Sequence, residues 1–220
     1  MPTARNPSSA PHALMRDDSA AKSISRAAAS LCSPDSIALL MPSLSSASPA
    51  HQWRLTLADD AATQRVGAAL ARAIEHEREA IRRSGLVIAL TGDLGTGKTT
   101  LVRALLRAAG VTGAIKSPTF AVLEPYVVSS LDFYHFDFYR FSGATEFSDI
   151  GFRDMFGPGR ICAIEWPERV GPRLPTPDIW LALHLAGDGR ELTASATTEL
   201  GVSCLNRISR EMQSTPAGDS

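Results

Sequence analysis

The sequence is short of cysteine, lysine, aromatic residues and long apolar runs, and each shortage narrows what the chain can be. Its three cysteines, Cys32, Cys162 and Cys204, are odd in number and far apart. Neither a disulfide framework nor a structural zinc site is expected from them, and a reducing, cytoplasmic setting is the default. The five histidines are equally scattered, which leaves no metal pair of the H-E-x-x-H kind. No uninterrupted apolar run approaches the roughly 20 residues that a membrane span requires, so no membrane role is expected. An excess of one charge is missing too: 22 basic residues stand against 23 acidic ones, for a net charge of -1. Such a balance exerts no long-range pull on phosphate backbones or anionic lipid, so any nucleic-acid contact must be local or made through a partner.

Residues 1–50 hold twelve Ser, eleven Ala and six Pro but no Phe, Tyr or Trp. A stretch of that composition cannot bury enough apolar surface to offset its ordering entropy, and a disordered extension is expected. Arg5, Arg16, Lys22 and Arg26 lend it some likeness to an organelle transit peptide, interrupted by Asp17 and Asp18. Translation from Met15 or Met41 is the plainer alternative. Residues 51–200 are expected to form one folded domain, and 201–220 a polar C-terminal tail.

Within the expected domain the apolar period changes repeatedly. Ala62, Val66, Ala69, Leu70, Ala73 and Ile74 recur at helical spacing, predicting a helix from Asp59 to about Arg83 with Asp59 or Asp60 as its N-cap and Gly85 as its stop. Leu86 to Leu90 is a short apolar run suited to a buried strand. Lys98 to Ala109 returns to helical spacing and ends at Gly110. Further strands are predicted at about 120–124, 131–138 and 160–165, with a helical or irregular stretch at 144–156. Two more, at 178–185 and 191–197, join through Gly187-Asp188-Gly189 as a closing hairpin. The alternation implies an α/β fold: a single three-layer domain with a central mixed or parallel sheet and a C-terminal hairpin.

Between the first apolar strand and its helix lies Gly92-Asp93-Leu94-Gly95-Thr96-Gly97-Lys98-Thr99, which fits G-x-x-x-x-G-K-[ST] in the strand-loop-helix setting that gives this phosphate-loop pattern its meaning. The glycines let consecutive N–H groups point at phosphate oxygens. The helix N-terminus favours the anion. Lys98 supplies a mobile charge, and the Thr99 hydroxyl is short enough to enter a Mg²⁺ shell. Only 3 of the 22 basic residues are Lys, and where Arg is the general cation a lysine marks a need for a compact charge. Nucleotide chemistry at this loop also calls for a carboxylate at the end of an apolar strand. Asp137, in Tyr134-His135-Phe136-Asp137-Phe138-Tyr139-Arg140, and Glu165, closing Ile161-Cys162-Ala163-Ile164-Glu165, are the two candidates, against the plainer reading of solvated or salt-bridged strand ends. Lys116-Ser117-Pro118-Thr119-Phe120 lies where a nucleotide-sensing loop can sit, with Thr119 offering a hydroxyl. Trp166-Pro167 puts a flat ring next to Glu165, as a core residue or a gate.

The series G-D-L-G-T-G-K-T-T-L at 92–101, S-P-T-F at 117–120, Y-H-F-D-F-Y-R at 134–140 and E-W-P at 165–167 resembles the TsaE family, formerly called YjeE, over about residues 55–200. The resemblance implies a P-loop NTPase fold and a weak Mg-dependent ATPase that supports threonylcarbamoyladenosine modification of tRNA. It implies action on a TsaD-TsaB type complex, with tRNA met only indirectly through those partners. Gly92 through Thr100 would hold the ATP phosphates, Thr99 and Glu165 would bind Mg²⁺, and Asp137 would take the Walker B role. Lys98, Asp137 and Glu165 are the catalytic candidates, with Asp137 also a possible metal ligand. Thr119 would belong to the switch loop and Trp166 would lie near the nucleotide. Thr63 with Asp60, and Arg190 after the hairpin turn, match positions where the family approaches the nucleotide. Which carboxylate orients the attacking water stays open. Ala121 departs from the Thr usual after S-P-T-F, and the segment 75–84 lengthens the first helix. A P-loop small-molecule kinase is the alternative, although Arg153, Arg160, Arg169 and Arg173 form no obvious lid; a non-catalytic nucleotide-binding module is a third reading.

Overall fold

The computed structural model describes residues 51–118, 121–142 and 144–214; the expectations for 1–50, Thr119 and Phe120 lie outside them. Asp59 caps the first helix: its carboxylate accepts the Ala62 N–H at 2.6 Å, satisfying one of the free donors of the first turn. The predicted long helix is two helices, α1 (Asp60–His76) and α2 (Arg78–Ser84), broken at Glu77. Gly85, at φ 82°, ends the second. β2 (Leu86–Thr91) and α3 (Lys98–Ala108) then flank the phosphate loop as expected.

An additional strand, β1 (Gln52–Leu57), precedes α1. Its signal is the short alternation Trp53, Leu55, Leu57. The strand expected at 120–124 is β3 (Leu123–Val128), which turns directly into β4 (Leu131–Asp137). That turn is Ser129-Ser130, both left-handed at φ 53° and 60°. Two-residue hairpins favour Asn-Gly at such positions, and Ser-Ser carries no such turn signal. α4 (Ala144–Asp149) and a tight turn at Phe152–Met155 lead to β5 (Arg160–Glu165). The hairpin β6 (Ile179–Ala186) and β7 (Gly189–Ala196) turns through Gly187-Asp188 alone, since Gly189 already pairs with Ala186.

The seven strands form one mixed sheet in the order β1-β7-β6-β2-β5-β4-β3. Its centre, β6-β2-β5-β4, is parallel, and the hairpin partners at either side are antiparallel. Strand period divides the core between two faces. Leu86, Ile88 and Leu90 of β2 pack with α1 and α3, whereas Val87 joins an aromatic cluster of Phe136, Phe138, Phe141, Phe147 and Phe152 on the opposite face. The polar tail expected from residue 201 is instead a helix, α5 (Glu199–Ser214), which buries Cys204, Leu205 and Ile208. Its apolar residues are sparse, spaced three and four apart among polar ones, so composition concealed a single buried stripe. Cys162 and Cys204 are free thiols, each pushed up to about 12 by burial. No described helix is long and apolar enough to cross a membrane.

Candidate functional site

The phosphate loop leaves the C-terminal end of β2, where open α/β sheets place their ligand crevice. Gly92 and Gly97 sit at φ 130° and 101°, backbone that side-chain-bearing residues rarely adopt. A Cβ on Gly92 would lie 2.1 Å from the Leu183 carbonyl oxygen, so only glycine fits. Behind the loop, the Thr96 hydroxyl donates to the Asp93 carbonyl at 2.9 Å. Leu94, Gly95, Gly97, Lys98, Thr99 and Thr100 line a cleft that is partly open to solvent, and Asp137, Tyr139, Glu165, Trp166 and Arg190 line its other walls.

Lys98 is only 4% exposed. Its ammonium donates to the carbonyls of Gly92 at 2.6 Å and Asp93 at 2.9 Å, and lies 4.1 Å from the centre of the Trp166 ring. Burial pushes its pKa down, while Glu165, Glu168, Asp137 and Asp93 pull it back up. Trp166 is held at φ 59°, a left-handed backbone that costs about 1–3 kcal/mol and tends to occur at working sites.

The two carboxylate candidates are neighbours rather than rivals: Asp137 and Glu165 are register partners at the ends of β4 and β5. On the first turn of α3, the Thr99 hydroxyl donates to Glu165, 2.8 and 3.0 Å from its two oxygens. Asp137 accepts the Tyr139 N–H at 3.0 Å, and its own N–H donates at 3.0 Å to the Val122 carbonyl. Val122, a β-branched residue at φ 68°, is therefore tied to the backbone at Asp137.

Of the expected site residues, Gly92, Asp93 and Thr96 belong to the loop without lining the cleft, and Thr63 lies elsewhere. It is fully buried on α1, with its hydroxyl donating to the Asp59 carbonyl at 3.4 Å, and it does not line the cleft. Its expected neighbour Asp60 instead forms an ion pair with Arg190 at 2.7 Å. Sequence reading missed three residues. His135 is fully buried and bonds Glu165 at 2.9 Å. Tyr139 lines the cleft with its ring 5.0 Å from that of Trp166. Glu168 has a buried Oε2 with no hydrogen-bond partner. The strand period signalled His135, which shares a face with Asp137 two residues on.

A family model described as threonylcarbamoyl adenosine biosynthesis protein TsaE matches residues 57–192. The chain belongs to the TsaE family. A tRNA threonylcarbamoyladenosine biosynthesis protein TsaE from Haemophilus influenzae is 39% identical over 56% of this chain and 78% of its own length. The Bacillus subtilis TsaE protein is 34% identical over 57% of this chain and 78% of its own. The crystal structure of Bacillus subtilis YdiB superposes with a TM-score of 0.55 and 25% identity, over 73% of this chain and 95% of that one. The phosphate loop, both strand-end carboxylates and Trp166 all fall inside the matched TsaE region.

Proposed function

We propose that this TsaE family member is a Mg-dependent ATPase serving tRNA threonylcarbamoyladenosine biosynthesis, acting in the cytoplasm on a TsaD-TsaB type complex and meeting tRNA only through it. The observation that carries the reading is the convergence of Lys98, Thr99, Asp137 and Glu165 on one cleft at the phosphate loop. The hydroxyl and carboxylate oxygens are hard donors suited to Mg²⁺. Among the described residues no group of three His, Cys, Asp or Glu could hold a metal ion.

Thr99 and Glu165, with Asp137 beside them, would hold that cation, which supplies charge neutralisation at the β and γ phosphates. The amides of 92–99 cradle the phosphates, and Lys98 leaves its two carbonyls to meet the charge that builds on the transferring oxygens. Asp137 or Glu165 orients the attacking water. Arg190, whose guanidinium packs on Gly97, adds positive charge at the rim.

Lys98→Ala tests the reading. With its TsaD and TsaB partners and tRNA supplied, the variant is expected to lose about 100-fold or more in ATP hydrolysis and to stop supporting repeated rounds of tRNA modification, while its melting temperature stays near that of the unsubstituted protein. Undiminished modification by the variant would overturn the proposal; phosphorylation of a metabolite would favour a kinase instead.

A further inference from the structure

Glu165 is held from two sides. Thr99 reaches both of its oxygens from α3, and His135 Nε2 bonds Oε1 at 2.9 Å from the neighbouring strand. Residues 135, 137 and 165 share one face of the sheet, because 137 and 165 are register partners and 135 pairs with Ala163, two residues behind 165. The imidazole is fully buried, and its Nδ1 has no hydrogen-bond partner. Its single polar anchor among the described residues is therefore Glu165. With a carboxylate as acceptor, Nε2 must carry the proton. The Thr99 hydroxyl has one proton and shares it between both carboxylate oxygens. If that hydroxyl oxygen gives a lone pair to a cation it keeps this one proton, which can serve only one carboxylate oxygen at a time, and His135 is the contact that holds Oε1 throughout.

We propose that His135 is a positioning residue: its Nε2–H fixes Oε1 of Glu165, reserving Oε2 and the Thr99 hydroxyl for the divalent cation. The inference rests on reading the cleft as a Mg-nucleotide site. Outer partners of this type commonly set metal affinity by 10–100-fold. Two amide substitutions separate positioning from packing, because Gln carries its N–H₂ about as far from the backbone as His carries Nε2, whereas Asn stops short.

The test measures binding of Mn²⁺ to the full chain in the presence of ADP, by electron paramagnetic resonance, alongside ADP binding in EDTA. His135→Asn should weaken Mn²⁺ binding roughly 10–100-fold and leave metal-free ADP binding within about 3-fold. His135→Gln should stay close to the unsubstituted protein in both. If Asn yields no folded protein, His135→Leu, which leaves no polar group unpaired, takes its place with the same expectation. Equal Mn²⁺ affinity in all variants, or equal loss in the Gln variant, overturns the positioning role. A parent chain that binds no ADP at all overturns the nucleotide reading itself, a result distinct from either.

Discussion

Glu168 interacts electrostatically with Lys98 without lining the cleft, and its buried Oε2 has no hydrogen-bond partner. Burial pushes its pKa up, its own backbone N–H and the charges of Lys98 and Arg169 offset part of the rise, and Asp93 adds to it. A carboxyl raised in this way contributes stability that is fully present below its unfolded value near 4.5 and is lost as pH rises through the folded value. Above the unfolded value the group therefore costs stability, and that cost sits next to Lys98, the residue proposed to meet phosphate. Glu168→Gln should melt higher than the parent at pH 8, by about 2–4 °C for each kcal/mol recovered, with the gap closing at pH 4. A constant gap across that range would show that burial of the charge is not the cause. The same substitution removes a competitor for Lys98, so nucleotide should bind more tightly. None of this was legible in the sequence: Glu168 follows E-W-P as an ordinary charged residue, and only the packing of the strand-end turn desolvates it.

At the scale of elements, the site depends on how α1 lies against α3. The two helices touch at Gly67, where a Cβ would meet the Ala104 Cβ at 2.6 Å, the Leu101 carbonyl oxygen at 2.7 Å and the Leu105 nitrogen at 2.9 Å. Two of these are backbone atoms and cannot swing aside. Gly67→Ala gains about 0.5–1 kcal/mol of helix propensity but forces the helices apart at a cost of about 1–3 kcal/mol for overpacking. A net loss of roughly 1–2 kcal/mol in urea unfolding is expected, and the proposed ATP binding should weaken with it, because α3 carries Lys98 and Thr99. A variant as stable as the parent would show that the helices separate freely. Apolar spacing revealed that α1 and α3 were amphipathic, but a lone glycine in a helix marks a crossing only once the partner helix is known. The β3–β4 hairpin was hidden for a similar reason: two serines accept left-handed backbone because neighbouring strands hold them there.

For the molecule as a whole, α5 is an integral layer of the core. Cys204, Leu205 and Ile208 are buried, Ser203 donates to Glu77 at 2.8 Å, and Arg72 pairs with Glu211 across the α1–α5 interface. Each large apolar side chain so buried is worth about 1.5–3 kcal/mol, against a net stability of about 5–15 kcal/mol for a typical domain. Truncation after Thr198 should therefore lower the melting temperature by about 10 °C or more and raise binding of an apolar dye; an unchanged melt would mean that the helix is dispensable. What the sequence determined alone was local: the phosphate loop, the two apolar strands that end in acids, the amphipathic helices and the closing hairpin. Those depend on residues within a few positions of one another, where period and turn chemistry act directly. Tertiary structure decided that Asp137 and Glu165 stand side by side, that His135 holds the latter, that Thr63 turns away from the cleft, and that a polar-looking C-terminus is a core helix. Each of these depends on strand order, register or burial between distant segments, and free energies of that kind exist only once the chain has folded back on itself.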